Sequence, residues 1–198
     1  MLEVKDATIA VGGQVLATGL SFMARDGQLT CITGSEGAGK TTLLRTLMGF
    51  LPVSSGFVSV DGELLTVRSS QAFRRMMAYL PQQMELLRHQ LEPVAVPLSE
   101  ADDLAVWGGG VTLKPSAEPA PALLSSEEIL CLAEETLRQS ADKQIIIADE
   151  PAARLSPEQT MQMLALLRQQ AEAGKTVLIA SRKPLMVDEA DQVISLVV

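Results

Sequence analysis

The chain has 198 residues, of which 47% are hydrophobic and 20% are charged, and its formal net charge is −8. This length suits a single domain with one main core, and the acidic balance argues against nucleic acid as a partner, because nucleic-acid binding needs a basic surface. No apolar run approaches the roughly 18 residues of a membrane-spanning helix, and the N-terminus lacks the pattern of a secretory signal. We therefore expect a cytoplasmic protein.

The first part of the sequence alternates apolar and polar residues between glycine-containing turns. This pattern predicts strands over residues 2–11, 14–24, 29–33 and 56–60. Residues 69–78 have helical character, and a short apolar run over 77–80 ends in Pro81-Gln82-Gln83. Proline and glycine are frequent from residue 91 to 121, which disfavours long helices there and leaves room for a brief one over 99–106.

The last part of the sequence is regular again. Ser125 and Glu128 form a capping-box pattern that predicts the start of a helix. Wholly apolar strands are predicted over 145–148 and 176–180, with a helix over 157–173 between them and a closing strand over 193–198. Because strands buried on both faces are typical of parallel sheets, we predict an α/β fold. Cys31 and Cys131 lie in apolar segments and are predicted to be reduced core thiols.

A glycine-rich turn joins the third predicted strand to a helix. Gly34, four further residues and then Gly39-Lys40-Thr41 fit the pattern G-x-x-x-x-G-K-[ST]. In such a loop, backbone N–H groups and the start of the helix hold a polyphosphate, Lys40 reaches the β- and γ-phosphates, and the Thr41 hydroxyl binds Mg²⁺. A turn that binds nothing is disfavoured by the strand and helix on either side. The predicted nucleotide-binding residues are Gly34, Ser35, Glu36, Gly37, Ala38, Gly39, Lys40, Thr41 and Thr42.

A pair of acidic residues follows the apolar strand predicted over residues 145–148. Asp149 would lie at the carboxyl end of a central strand, where it can hold Mg²⁺ through water. Glu150 would face an attacking water and act as its base. An acidic turn without a ligand is the alternative, and the phosphate-binding pattern upstream argues against it.

With these motifs in place, the sequence resembles the ATP-binding cassette family, the nucleotide-hydrolysing subunits of ABC transporters, as a shortened and divergent member. The matching segments are GSEGAGKTTLL, FLPVSSGFVSVDG, YLPQQ, IIIADEP and GKTVLIAS. The resemblance implies a single nucleotide-binding domain over residues 1–198, with a P-loop NTPase core of mostly parallel sheet, an N-terminal antiparallel β subdomain and a reduced helical or irregular subdomain over about residues 83–123. It also implies that Gln82 contacts Mg²⁺ and the water and relays the nucleotide state to a partner.

The segment that aligns with the family motif L-S-G-G-Q reads LSSEE. In the family this motif grips the γ-phosphate of ATP held by the opposite subunit, so the resemblance assigns that contact to Ser125, Ser126 and Glu127. Glu127 stands where glycine is expected and brings negative charge towards the triphosphate. The capping box is the alternative role of this segment, and the sequence leaves both roles open.

Further positions depart from the family pattern. Arg182 aligns with the histidine that contacts the γ-phosphate, and arginine keeps a positive charge but does not shuttle a proton; an ordinary surface role is the alternative. Ser156 stands at an aspartate position, Glu36 at one that often holds asparagine, and Val11 where an aromatic residue usually stacks on adenine. The choice of ATP over GTP therefore depends on the family likeness alone.

The resemblance implies an ATPase that binds and hydrolyses Mg-ATP in an ABC-type transport system, with ATP and Mg²⁺ as cofactors. It implies a homodimer, or a heterodimer with another ABC subunit, and an integral membrane permease that would hold the protein at the inner face of the membrane. The implied catalytic residues are Glu150, Gln82 and Arg182, and the metal ligands are Thr41, Gln82 and Asp149. The alternative is a divergent non-transport or weakly hydrolysing module that acts as a nucleotide-dependent switch or assembly subunit.

Overall fold

The computed structural model describes residues 1–11, 13–87 and 123–196, which form two sheets and the helices packed on them. The strands are β1 (Leu2–Val11), β2 (Gln14–Ala24), β3 (Leu29–Gly34), β4 (Ser55–Val60), β5 (Glu63–Leu64), β6 (Met77–Leu80), β7 (Ile145–Asp149), β8 (Thr176–Ala180) and β9 (Gln192–Leu196). The helices are α1 (Lys40–Leu47), α2 (Ser70–Arg75), α3 (Ser126–Gln139), α4 (Pro157–Glu172) and α5 (Pro184–Asp188).

The first sheet is antiparallel, with four strands in the order β2-β1-β4-β5, and the second has five strands in the order β6-β7-β8-β3-β9. Every pairing in the second sheet is parallel. Parallel neighbours need long crossover connections, and the chain supplies them with helices. As a result, the carboxyl ends of β3, β6, β7 and β8 meet at one edge of the sheet.

The central strands β7 and β8 are buried along their whole length, which explains their continuous apolar sequence. Successive side chains of β7 point to opposite faces of the sheet. Ile145 and Ile147 pack in a cluster with the antiparallel sheet and α1, whereas Ile146 and Ala148 pack in a second cluster with α3 and α4. The parallel sheet is therefore covered on both faces and holds its carboxyl edge in a fixed position.

Helices α3 and α4 both begin with a complete capping box. The Ser125 hydroxyl accepts the N–H of Glu128, and the Glu128 carboxylate accepts the N–H of Ser125. Ser156 and Gln159 make the same exchange at the start of α4. These reciprocal bonds satisfy backbone donors that a helix start leaves open, so both helices begin at a defined residue.

Most of the predicted elements are present, and the α/β fold with a parallel core and an antiparallel N-terminal sheet is confirmed. The prediction for Cys131 is wrong, because its side chain is exposed on α3 while Cys31 is buried. The brief helix predicted over 99–106, most of the reduced subdomain over 83–123, and residues 197–198 of the closing strand lie outside the described residues. In the part of the chain that is described, no helix has both the length and the hydrophobicity needed to cross a membrane.

Replacing Ser125 with alanine is expected to lower the free energy of unfolding by about 1 kcal/mol, because the Glu128 N–H loses its cap. Urea denaturation of wild type and variant measures the difference. Ser126→Ala is the matched control, since the Ser126 hydroxyl makes a long 3.4 Å bond to the Arg154 carbonyl, and its effect is expected to stay within about 0.5 kcal/mol. Equal losses in the two variants would contradict a capping role for Ser125.

Candidate functional site

A cavity of about 260 Å³ lies at the carboxyl edge of the parallel sheet. It is lined by the turn between β3 and α1, by the segment after β6, and by the ends of β7 and β8, because these strands are neighbours that point the same way. The lining residues are Glu36, Gly37, Gly39, Lys40, Thr41, Thr42, Gln82, Glu150 and Arg182. The fold thus brings together residues that are far apart in the sequence and that the motifs had singled out.

The phosphate loop, residues 34–41, wraps around the side chain of Lys40. The Lys40 ammonium donates to the carbonyls of Gly34 and Ser35, both at 2.9 Å. Gly39 has φ +88° and starts α1 from the left-handed region that glycine adopts without strain. Ala38 is buried in the core, so it anchors the loop rather than lining the cavity. The loop therefore brings Gly37, Gly39 and the start of α1 to the cavity wall.

Asp149 is only 1% exposed, at the end of β7. Its Oδ2 accepts the Tyr79 hydroxyl at 3.4 Å, and burial together with the Asp149 charge raises the pKa of Tyr79 to about 12. Tyr79 therefore remains a donor at neutral pH. Asp149 Oδ1 has no hydrogen-bond partner among the described residues, and a buried carboxylate oxygen in that state calls for a cation or ordered water. This donor set fits Mg²⁺, with the Thr41 hydroxyl and the Gln82 amide in the adjacent cavity.

Glu150 adopts a left-handed backbone with φ +46° and lines the cavity. Its backbone N–H donates to the Ala180 carbonyl at 2.8 Å. The carboxylate is 9% exposed, and its Oε1 lies 3.7 Å from Lys40 Nζ and 3.2 Å from Arg182 Nε. Glu150 thus sits between two cationic groups at the cavity wall.

Arg182 follows β8 and reaches the mouth of the cavity. It donates from Nε to Glu150 and from Nη1 to Glu36 at 2.9 Å. The bond to Glu36, followed by the negative charge of Glu150, raises the pKa of Arg182. The side chain is 47% exposed, so it can move between these carboxylates and another anion. Arg182 lines the cavity, and its role as a phosphate sensor stays a prediction.

The signature-like segment, residues 124–127, lies apart from the cavity. Ser125 caps α3, the Ser126 hydroxyl donates to the Arg154 carbonyl, and Glu127 is exposed. Ser125, Ser126 and Glu127 are not among the cavity-lining residues of the described chain. A contact with nucleotide would therefore be made with the nucleotide of another subunit.

Two features near the site were not predicted from the sequence. One is the Tyr79 bond to Asp149, which the pairing of Tyr79 with Ile147 in β6 and β7 could have suggested. The other is an aliphatic cleft of about 330 Å³ beside the phosphate loop, where Leu16 covers Gly39 so closely that a Cβ there would be 3.1 Å from Leu16 Cδ1. The lining residues of this cleft are Val15, Leu16, Ala17, Thr18, Leu20, Ser195 and Leu196.

Comparison with known proteins decides the family. The family model described as ABC transporter matches residues 17–179, a range that includes the phosphate loop and the Asp149-Glu150 pair. The chain belongs to the ABC transporter family. Family membership confirms the resemblance seen in the motifs and places the chain in a class of ATPases, as predicted.

Individual relatives of this ABC protein give the same picture. It is 32% identical to the hemin import ATP-binding protein HmuV of Bordetella bronchiseptica over 90% of this chain and 75% of that protein. It is 28% identical to the ABC transporter ATP-binding/permease protein Rv1747 of Mycobacterium tuberculosis, over 98% of this chain and 24% of that protein. The chain spans 36% of the length of a further relative, from Treponema denticola. The name of the first of these relatives concerns hemin import, and that of the second includes a permease.

Solved structures support the fold. A dimeric ATP-binding cassette in a post-hydrolysis state, bound to ADP and Pi, superposes on 99% of this chain and 94% of its own length with a TM-score of 0.68 at 18% identity. Identity at this level bears on the fold alone. The P-loop NTPase architecture predicted from the motifs is therefore confirmed.

Proposed function

We propose that the chain is the Mg-ATP-binding and hydrolysing subunit of an ABC-type transport system. The observation that carries this proposal is the position of Glu150, whose carboxylate lies in one cavity with Lys40, Thr41, Gln82 and Arg182. A triphosphate on the phosphate loop would place its γ-phosphate between Lys40 and Glu150. The Lys40 ammonium would then face the γ-phosphate, and the Glu150 carboxylate would face the attacking water.

Phosphate binding would use the loop in two ways. Backbone N–H groups of Gly37 and of residues 39–42, at the start of α1, would hold the β-phosphate. The Lys40 ammonium, which now donates to the Gly34 and Ser35 carbonyls, would turn to the β- and γ-phosphate oxygens. Because charge-assisted bonds to phosphate are stronger than bonds to neutral carbonyls, this exchange favours binding.

Magnesium would be held by Thr41, Gln82 and Asp149. The unpartnered Oδ1 of Asp149 supports this assignment, since it offers a buried negative oxygen next to the cavity. When bound, the ion supplies positive charge that neutralises the triphosphate oxygens. Tyr79 holds the other Asp149 oxygen in place, so the carboxylate is oriented before the nucleotide arrives.

Hydrolysis would use Glu150 as general base. The oxygen of a water would attack the γ-phosphorus, one water proton would pass to the Glu150 carboxylate, and the bond to the β-phosphate oxygen would break to leave ADP. Gln82 would orient the water. Arg182 would leave Glu36 and Glu150 to stabilise the charge on the transferring phosphoryl group.

Assembly is the second half of the proposal. A homodimer or a heterodimer with another ABC subunit would bring the signature-like segment of one chain to the nucleotide of the other. An integral membrane permease would hold the protein at the inner face of the membrane; the Mycobacterium tuberculosis relative is named an ATP-binding/permease protein. Residues 1–198 would act as one nucleotide-binding domain, with residues 83–123 as the reduced part.

The aliphatic cleft beside Leu16 would give the base little stacking, so we expect weak discrimination between ATP and GTP.

Phosphate release from Mg-ATP by the purified chain tests this function. Turnover per chain is expected to rise with protein concentration, because a composite site needs two subunits, and to vanish when EDTA removes Mg²⁺. Tight nucleotide binding without turnover at any concentration would contradict hydrolysis by this chain and favour the switch module.

Arg182→Ala is expected to lower kcat about 10²-fold, since a fixed positive charge would be missing where charge develops. The Kd for ATP should change much less, because Lys40 and the loop remain. Arg182→Lys tests whether charge alone suffices. Arg74→Ala is the control, since the Arg74 guanidinium lies over the Phe50 ring, 4.9 Å from its centroid and outside the cavity lining. An unchanged kcat in Arg182→Ala would assign Arg182 to the surface.

A further inference from the structure

A buried carboxylate in the segment that follows Gln82 takes no part in the proposed chemistry. Glu85 follows the Pro81-Gln82-Gln83 turn, and its side chain is 9% exposed. Its Oε1 accepts Arg154 Nη2 at 2.6 Å and the backbone N–H of Leu124 at 3.3 Å. A buried charge of this kind is costly unless it is paired, and Arg154 supplies the partner.

Burial acts to raise the pKa of Glu85, but the bonds from its own backbone N–H, from Arg154 and from Leu124 outweigh it and lower the pKa. Glu85 is therefore ionised at neutral pH. The ion pair is present throughout the pH range in which ATP hydrolysis would be assayed.

The pair joins three segments that are each next to a predicted functional residue. Glu85 lies three positions after Gln82, Leu124 directly precedes Ser125, and Arg154 lies four positions after Glu150. The Arg154 carbonyl also accepts the Ser126 hydroxyl at 3.4 Å. An apolar cluster lies beneath the same segments and includes Met84, Leu87, Leu124, Ala152 and Leu155.

We infer that Glu85 and Arg154 are positioning residues that hold the signature-like segment in register with Gln82 and with the loop after Glu150. The inference rests on the proposed function, in which Ser125 and Ser126 contact the nucleotide of a second subunit. The Glu85–Arg154 ion pair would place these two serines for that contact. If Gln82 moves, Glu85 moves with the same segment. Because the Glu85 carboxylate accepts the Leu124 N–H directly, this movement shifts Leu124 as well. The composite site then depends on this pair although neither residue touches the nucleotide.

The first test measures the segment itself and needs no turnover. The double variant Glu85→Gln/Arg154→Met removes the ion pair without leaving a buried charge unpaired. In hydrogen–deuterium exchange of the nucleotide-free chain, amides 124–128 are expected to exchange about tenfold faster in this variant, because the charged partner of the segment is lost. Amides of β7 and β8 should keep their protection.

The matched control is Glu135→Gln/Arg138→Met, which removes an exposed ion pair of 2.6 Å from the same helix, α3. Exchange of amides 124–128 in this control should equal that of wild type. Equal exchange in the test variant and wild type would overturn the inference. General acceleration in β7 and β8 would also overturn it, since the pair would then support the whole fold.

The second test mixes subunits. The Glu85→Gln/Arg154→Met chain keeps its own Lys40 and Glu150, and the Glu150→Gln chain keeps an intact signature-like segment. Each alone is expected to have little turnover. Their 1:1 mixture should recover up to about a quarter of wild-type activity, because half of the dimers then contain one complete site.

The mixing experiment gives different results if the inference fails and if the proposed function fails. Turnover no greater than the sum of the two variants, with an active wild type, would overturn the inference, since the pair would then serve its own subunit's nucleotide. An inactive wild type would instead overturn the proposed hydrolysis, and the exchange experiment alone would then decide whether the pair positions the segment.

Discussion

Glu150→Gln is expected to abolish measurable ATP turnover, with kcat lower by about 10²- to 10⁴-fold, the usual contribution of a general base. The amide has nearly the same shape as the carboxylate but does not accept a proton from water. The carboxylate is buried and faces both Lys40 Nζ and Arg182 Nε, so no bulk water replaces it as the base. ATP affinity should stay equal or rise, because a negative charge near the triphosphate is removed.

Single-turnover phosphate release measures the chemical step for this variant, and equilibrium binding of a fluorescent ATP analogue measures its affinity. Glu134→Gln is the matched control, since Glu134 is exposed on α3 and lies outside the cavity lining; this variant should keep more than half of the wild-type turnover. Wild-type turnover in Glu150→Gln would refute the role of Glu150.

Lys40→Ala is expected to weaken ATP binding about 10²-fold, because two or more charge-assisted bonds to phosphate oxygens are lost. Lys40 is 7% exposed, so no other side chain takes its place inside the loop. This variant should lose both affinity and turnover, whereas Glu150→Gln should lose turnover alone. The pair of results therefore separates phosphate binding from catalysis.

Titration of the same ATP analogue measures the affinity of Lys40→Ala. Lys143→Ala is the control, because Lys143 pairs with Asp142 at the opposite end of β7. The two variants should have clearly different dissociation constants. A dissociation constant for Lys40→Ala within twofold of wild type would show that the loop does not bind the triphosphate as proposed.

The site residues that come directly after a single strand could be predicted from the sequence alone. The spacing of Gly34, Gly39 and Lys40 is local, and so is the position of Asp149 after an apolar strand. Their proximity also follows from the pattern, because wholly apolar strands indicate a parallel sheet whose carboxyl ends share one edge. The apolar strand before Arg182 likewise predicts that Arg182 lies at this edge, whereas the place of Gln82 was implied by the family resemblance alone.

Ion pairs between distant segments could not be predicted in this way. Arg182 and Glu36 are 146 positions apart, and Arg154 and Glu85 are 69 apart. Which of several carboxylates a flexible arginine selects depends on side-chain packing and not on periodicity. Cys131 illustrates a smaller error of the same kind. In α3 the buried residues Ile129, Ala133 and Leu137 repeat every four positions, and Cys131, between the first two, faces the opposite side.

The backbone of Glu150 has a consequence for how this fold could change. A non-glycine residue with φ +46° carries a conformational cost of about 1–2 kcal/mol relative to an ordinary helical or extended residue. Glycine would adopt the same backbone without that cost. On backbone strain alone glycine would therefore be favoured at this position, so the cost is offset by what the Glu150 carboxylate does in the cavity. A copy of this domain that had stopped hydrolysing nucleotide would be expected to lose Glu150 before it lost the phosphate loop.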